Sequence, residues 1–97
     1  MACQIFFEFN VKTDCIERAR SWLREILPDT RAYDGCIAIT VTQDQDKPTN
    51  ITIVEQWESR LHFEKYRDWR LESGVLSDVE DMFDGEPSWR FFDYFGV

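Results

Sequence analysis

Residues 51–66 read ITIVEQWESRLHFEKY, and the character of the chain changes in the middle of them. Ile51 to Trp57 is apolar and β-branched, the signature of a strand. Ser59 is a favourable N-cap, and the residues after it read as a helix. On that helix His62, Phe63, Tyr66, Trp69 and Arg70 share a face at helical spacing. His62 is the only histidine in the chain. A strand running directly into a helix lets a sheet and a helix wall a pocket together, so this junction bears on both fold and function.

Upstream, Gln43 to Asn50 (QDQDKPTN) is polar, contains Pro48 and reads as a hairpin loop. Before it, Ile37, Ile39 and Val41 alternate with Ala38, Thr40 and Thr42, a second strand-like pattern. Asp34-Gly35 is a turn signal. Gln4 to Val11 is apolar at alternate positions, with Ile5, Phe7, Phe9 and Val11 on one face and Phe6 on the other. Thr13 or Asp14 caps a helix, and Ile16, Ala19, Leu23, Ile26 and Leu27 form its stripe. Pro28 is expected to end or kink it.

Downstream, Ser73-Gly74 stops the junction helix. Val75 to Phe83 reads as a short helix with Val75, Val79 and Met82 or Phe83 inward. After Gly85-Glu86-Pro87, Ser88 to Phe95 reads as a last strand, with Trp89, Phe91 and Phe95 on one face and Phe92 and Tyr94 on the other.

The order β-α-β-β-α-(α)-β predicts a single domain over residues 1–97. Its expected form is a ferredoxin-like βαββαβ plait, α+β in class, with two helices on one face of a four-stranded antiparallel sheet. Helices cover only one face of such a sheet, whereas the outer strands carry apolar groups on both. A homodimer through the uncovered sheet faces follows as an expectation.

The net charge of −8 opposes a nucleic-acid or anionic-membrane surface. No apolar run approaches the ~20 residues of a bilayer span. Cys3, Cys15 and Cys36 are odd in number and match no CxxC or Cys/His metal spacing, and Met-Ala-Cys-Gln opens no secretory signal. A cytoplasmic protein with reduced thiols is expected. The acidic run from Asp78 to Glu86 lacks the ligand alternation of a calcium loop and reads as a solvated face.

Three segments then resemble a known family in order and spacing. They are Thr30 to Ile37 (TRAYDGCI), Thr42-Gln43-Asp44, and Val54 to Ser59 (VEQWES) with His62. The resemblance is to the antibiotic biosynthesis monooxygenase domain, whose small dimeric α/β-barrel proteins include quinol monooxygenases. It implies a cavity between sheet and helices that takes a small aromatic molecule, phenol or quinol. It also implies oxidation by dioxygen without metal or cofactor, the deprotonated substrate supplying the electron. In that frame His62 is the candidate base and Tyr66 a candidate donor to a quinone oxygen. Trp57, Trp69 and Phe63 are candidates for the aromatic wall. Asn10 and Glu8 join them only if their side of the first strand faces the helices.

Some residues depart from the family's pattern. Quinol-oxidising relatives often carry a second histidine one turn after the His62 position, where this chain has Tyr66, and another in a segment matching Asp68 to Leu71. The iron-binding histidine of haem-degrading relatives falls near Leu76, so haem degradation is not expected. Two other readings stay open on the same scaffold: a non-catalytic dimer that binds a hydrophobic molecule, and an isomerase or cyclase.

Overall fold

A computed structural model describes residues 1–97. The elements are β1 (Cys3–Asn10), α1 (Ile16–Arg31), β2 (Cys36–Gln43), β3 (Asn50–Trp57), α2 (Arg60–Ser73) and β4 (Ser88–Phe92). The strands form one antiparallel sheet in the order β2-β3-β1-β4, and this is the ferredoxin-like plait. No helix is long and apolar enough to cross a membrane.

The alternation in β1 sets the core. Cys3, Ile5, Phe7 and Phe9 turn to the helices and are buried. The opposite positions of β3 are Ile51, Ile53, Glu55 and Trp57, also buried. From α1, Ala19, Trp22, Leu23, Leu27 and Thr30 descend onto this face. From α2, Phe63, Tyr66 and Arg70 do so. The apolar core divides in two: a larger group around Phe9, Leu23 and Ile53, and a smaller one of Cys3, Ile5, Trp57, Phe63 and Tyr66.

The junction is built as the sequence reads. Ser59 Oγ accepts the His62 backbone N–H at 3.1 Å and caps α2. Gly74 ends that helix in the left-handed region, φ 77°. Other boundaries shift. Helix α1 continues through Pro28 to Arg31 rather than ending there. A 3-10 turn, Thr13–Cys15, leads into it, and neither Thr13 nor Asp14 supplies a side-chain cap. The expected helix Val75 to Phe83 contains only a 3-10 segment, Ser77–Met82, with Val79 and Met82 buried. Strand β4 ends at Phe92, because its pairing with β1 stops at Gln4, and Phe95 lies outside it, 94% exposed.

Strand β2 carries an irregularity that alternation hides. The pairing with β3 slips between Cys36 and Ala38, so Ile37 has no partner and is about half exposed. The second sheet face is also more polar than expected. Phe6 and Phe92 meet edge to face at 5.1 Å beside Val54, but Gln4, Thr40, Gln56 and Arg90 share the face with them.

Gly35 turns the chain into β2 at φ 90°, and an added Cβ would lie 2.5 Å from the Cβ and ring carbons of His62. Both the backbone and the space therefore require glycine. Gly35→Ala is expected to cost more than about 2 kcal/mol, read as a fall in the thermal midpoint of roughly 10 °C or more. A variant that melts with the wild type contradicts this reading of the turn.

Candidate functional site

A narrow cleft opens between the sheet and the two helices. Its walls include Phe7, Ile53 and Glu55 from the sheet, Trp22, Leu23 and Thr30 from α1, and Phe63, Tyr66, Arg67 and Arg70 from α2. Val75 and Leu76 border it beyond α2.

Glu55 is its chemical centre. It sits at an inward position of β3, between Ile53 and Trp57, and is only 4% exposed. Trp57 Nε1 donates to Glu55 Oε1 at 3.0 Å. The two residues are two apart on one strand and so face the same way. Burial drives the Glu55 carboxyl up to about 7, against which the Trp57 hydrogen bond pulls it down. A group poised there exchanges a proton near neutral pH, as a general base must.

Across the cleft, Tyr66 and Arg70 hold each other. Arg70 Nε donates to the Tyr66 hydroxyl at 2.9 Å, and Arg70 Nη2 donates to Thr30 Oγ1 at 2.9 Å and to the Ile26 carbonyl at 2.7 Å. The Tyr66 and Thr30 hydroxyls lie 2.6 Å apart. Burial raises the Tyr66 phenol above its ordinary value despite these bonds, so it stands here as a hydrogen-bonding phenol. Rings pack behind it: Trp57 lies tilted to Tyr66 at 5.0 Å, Tyr33 meets Tyr66 edge to face at 5.3 Å, and Tyr33 stacks on Trp69 at 5.2 Å.

The structure gathers some of the residues singled out from sequence and separates others. Tyr66 and Phe63 line the cleft. Trp57 is fully buried behind Glu55 and acts on the cleft through its N–H. Trp69 lies on the outer side of α2, 39% exposed, against Tyr33. Glu8 and Asn10 face away from the helices, both within hydrogen-bond reach of Asn50 Nδ2 on the open sheet face. The condition for their joining the cavity is therefore not met.

His62 stands outside the cleft. Its ring packs on Gly35, Nδ1 lies 2.6 Å from Ser59 Oγ, and Nε2 lies 3.6 Å from Glu58. Ligand atoms of Asp34, Glu58 and His62 come within 4.8 Å of one another, but both carboxylates are exposed, an arrangement common without an ion. His62 precedes the inward Phe63 by one position, about 100° around the helix, so helical spacing alone set it too near the core.

Sequence reasoning passed over Glu55, Thr30 and Trp22. Glu55 could have been found, because it holds the inward register of Ile51, Ile53 and Trp57. A second, more open groove of about 380 Å³ runs between α1 and β2, with Arg20, Arg24 and Arg31 among its walls. It contains no buried ionisable group, so the cleft at Glu55 is the candidate site.

Comparison with known proteins bears on the same frame. No curated protein matches the chain in sequence. Solved structures match it closely in shape at low identity, which speaks to the fold. A putative antibiotic biosynthesis monooxygenase from Nitrosomonas europaea superposes with a TM-score of 0.88 at 16% identity, covering 98% of this chain and 91% of that one. Rv0793 from Mycobacterium tuberculosis gives 0.86 at 16% identity, covering 100% and 98%. A conserved protein from Methanosarcina mazei Go1 gives 0.85 at 16% identity, covering 95% and 91%. The family model for antibiotic biosynthesis monooxygenase matches residues 4–69, from the start of β1 to the last turns of α2, and so takes in Glu55, Trp57 and Tyr66. With two-thirds of its length on that model and its whole fold shared with such structures, this chain belongs to the antibiotic biosynthesis monooxygenase family.

Proposed function

We propose that the protein is a cofactor-independent monooxygenase acting on a small phenol or hydroquinone in the cleft at Glu55. One observation carries the reading: a buried carboxyl group, raised to about 7, stands in an otherwise aromatic and aliphatic cleft. Glu55 takes the phenolic proton. The phenolate passes one electron to dioxygen, and the phenoxyl radical and superoxide join in a new C–O bond at a ring carbon. The proton held on Glu55 passes to the peroxide. The O–O bond breaks, the ring C–H proton leaves, and water departs. The sum is phenol plus dioxygen giving quinone plus water. Tyr66 and Arg70 orient the substrate oxygens by hydrogen bonding, and Phe63 supports the ring.

Oxygen uptake with a panel of phenols and hydroquinones tests this. The expected result is one dioxygen consumed per quinone formed, with no hydrogen peroxide, in the presence of a metal chelator. Uptake no greater than in buffer overturns it.

A second reading, a non-catalytic member of the family, is favoured by the size of the cleft. Its volume is about 40 Å³, room for a few waters, whereas pockets for small molecules run to roughly 300 Å³ or more. Under the first reading, the cleft has to widen before a ring can enter. If saturating phenols neither quench tryptophan fluorescence nor raise the melting temperature, the second reading stands.

The uncovered sheet face supports a homodimer as part of the same proposal, with Phe6, Val54 and Phe92 at its centre and Gln4, Gln56 and Arg90 among its polar groups. Light scattering at micromolar concentration is expected to give twice the 11.6 kDa chain mass. A clean monomer contradicts it.

A further inference from the structure

Arg70 is the only buried cation in the chain, 7% exposed. Four other arginines have a carboxylate within 4.0 Å: Arg18 with Asp81, Arg20 with Glu17, and both Arg60 and Arg67 with Glu64. Arg70 has none: it bonds only the neutral oxygens of Tyr66, Thr30 and Ile26, and it lies over the Trp69 ring, 4.5 Å from its centroid. A guanidinium taken out of water loses its solvation, and neutral hydrogen bonds return only part of it. A cation kept in this way is short of an anion.

A second, independent observation lies in the same cleft. Trp22 lines it and is 8% exposed, and Trp22 Nε1 is the one buried side-chain polar atom in the chain without a hydrogen-bond partner. Buried indole N–H groups ordinarily find an acceptor, and leaving one unpaired is destabilising. A cation without a counter-ion and a donor without an acceptor therefore belong to side chains that line one small space. The only carboxylate in its walls is Glu55, which forms no ion pair with Arg70 within 4.0 Å and is held by Trp57.

We propose that the cleft selects an aromatic carboxylate, a phenol or hydroquinone bearing a carboxylate group, with that group held by Arg70 and another ligand oxygen accepting from Trp22 Nε1. With Nε and Nη2 already bonded, the two Nη1 hydrogens are the donors that Arg70 has left for a carboxylate oxygen, in a charge-assisted bond. This inference rests on the reading that the cleft is the substrate site, and it goes further by naming the substrate's charge.

Anaerobic calorimetry tests it without turnover, using 2,5-dihydroxybenzoate and its neutral analogue 2,5-dihydroxybenzamide. The expected result is at least ten-fold tighter binding of the carboxylate by the wild type, loss of that preference in Arg70→Met, and several-fold weaker binding in Trp22→Phe, which keeps the ring and removes the N–H. Equal binding of the two ligands by the wild type, or an undiminished preference in Arg70→Met, overturns the proposal. Should Arg70→Met fail to fold, the wild-type ratio and Trp22→Phe decide. Oxygen uptake on neutral hydroquinones without carboxylate preference removes this inference and leaves the oxygenase reading standing. Carboxylate preference without oxygen uptake does the reverse.

Discussion

Glu55→Gln is expected to be more stable than the wild type at pH 8, by up to roughly 3 kcal/mol, and to match it at pH 4. The Glu55 carboxyl stands at about 7 in the folded protein against an ordinary value of 4.5. The folded state therefore holds this proton more tightly than the unfolded chain does. Its contribution to stability is fully present below pH 4.5 and is lost as pH rises through about 7. Glutamine mimics the neutral acid, since its Oε1 can still accept from Trp57, and it does not ionise. Asp81 works in the opposite sense, because its hydrogen bonds from Arg18 hold its carboxyl below the ordinary range. That contribution is lost on acidification and is common to both proteins, so the difference between them isolates Glu55. Urea melts from pH 4 to pH 8 measure it. A difference that does not change with pH contradicts the buried, proton-holding carboxyl.

Trp57→Ala is expected to cost about 3–5 kcal/mol, the range for emptying a large aromatic site in a core, and to lower the melting temperature by well over 10 °C. Trp57 is 0% exposed and packs on Tyr33, Phe63 and Tyr66. Its removal also leaves the Glu55 carboxyl with no donor. Trp57→Phe separates the two effects. The ring is largely kept, the N–H is lost, and the pH at which Glu55 ionises should move further up, because the only interaction that pulls it down is gone. Thermal melts and the pH dependence of stability check the pair. A loss below about 1 kcal/mol for Trp57→Ala would mean that this half of the core does not depend on it.

The scaffold was readable because its signals are local and agree with one another. Alternation in β1, the stripe on α1, the Asp34-Gly35 turn, the Ser59 cap and the Gly74 stop each specify one element, and together they allow few arrangements. The differences come from non-local pairing. Nothing in Ile37, Ile39 and Val41 announces a bulge, since the slip is set by where β3 lies. Phe95 looks like strand, but β1 offers it no partner. The site was harder to read. A lone histidine draws attention because imidazole titrates near neutrality, and His62 lies just off the inward face. Glu55 was obscured because a carboxylate is not expected inside, although its register was plain. Thr30, Trp22 and Arg70 come to line one cleft only when α1 and α2 meet over the sheet, which no short stretch of sequence encodes.

We propose that Glu55, rather than His62, is the base in the cleft. Oxygen uptake by the wild type, Glu55→Gln and His62→Ala on one oxidisable phenol tests it most directly, with folding of each variant checked by circular dichroism. Glu55→Gln is expected to lose about 100-fold or more in kcat/KM, the wild-type rate to rise with pH through about 7, and His62→Ala to stay within a few-fold of the wild type. A folded His62→Ala without activity, beside a Glu55→Gln that keeps its rate, would contradict it.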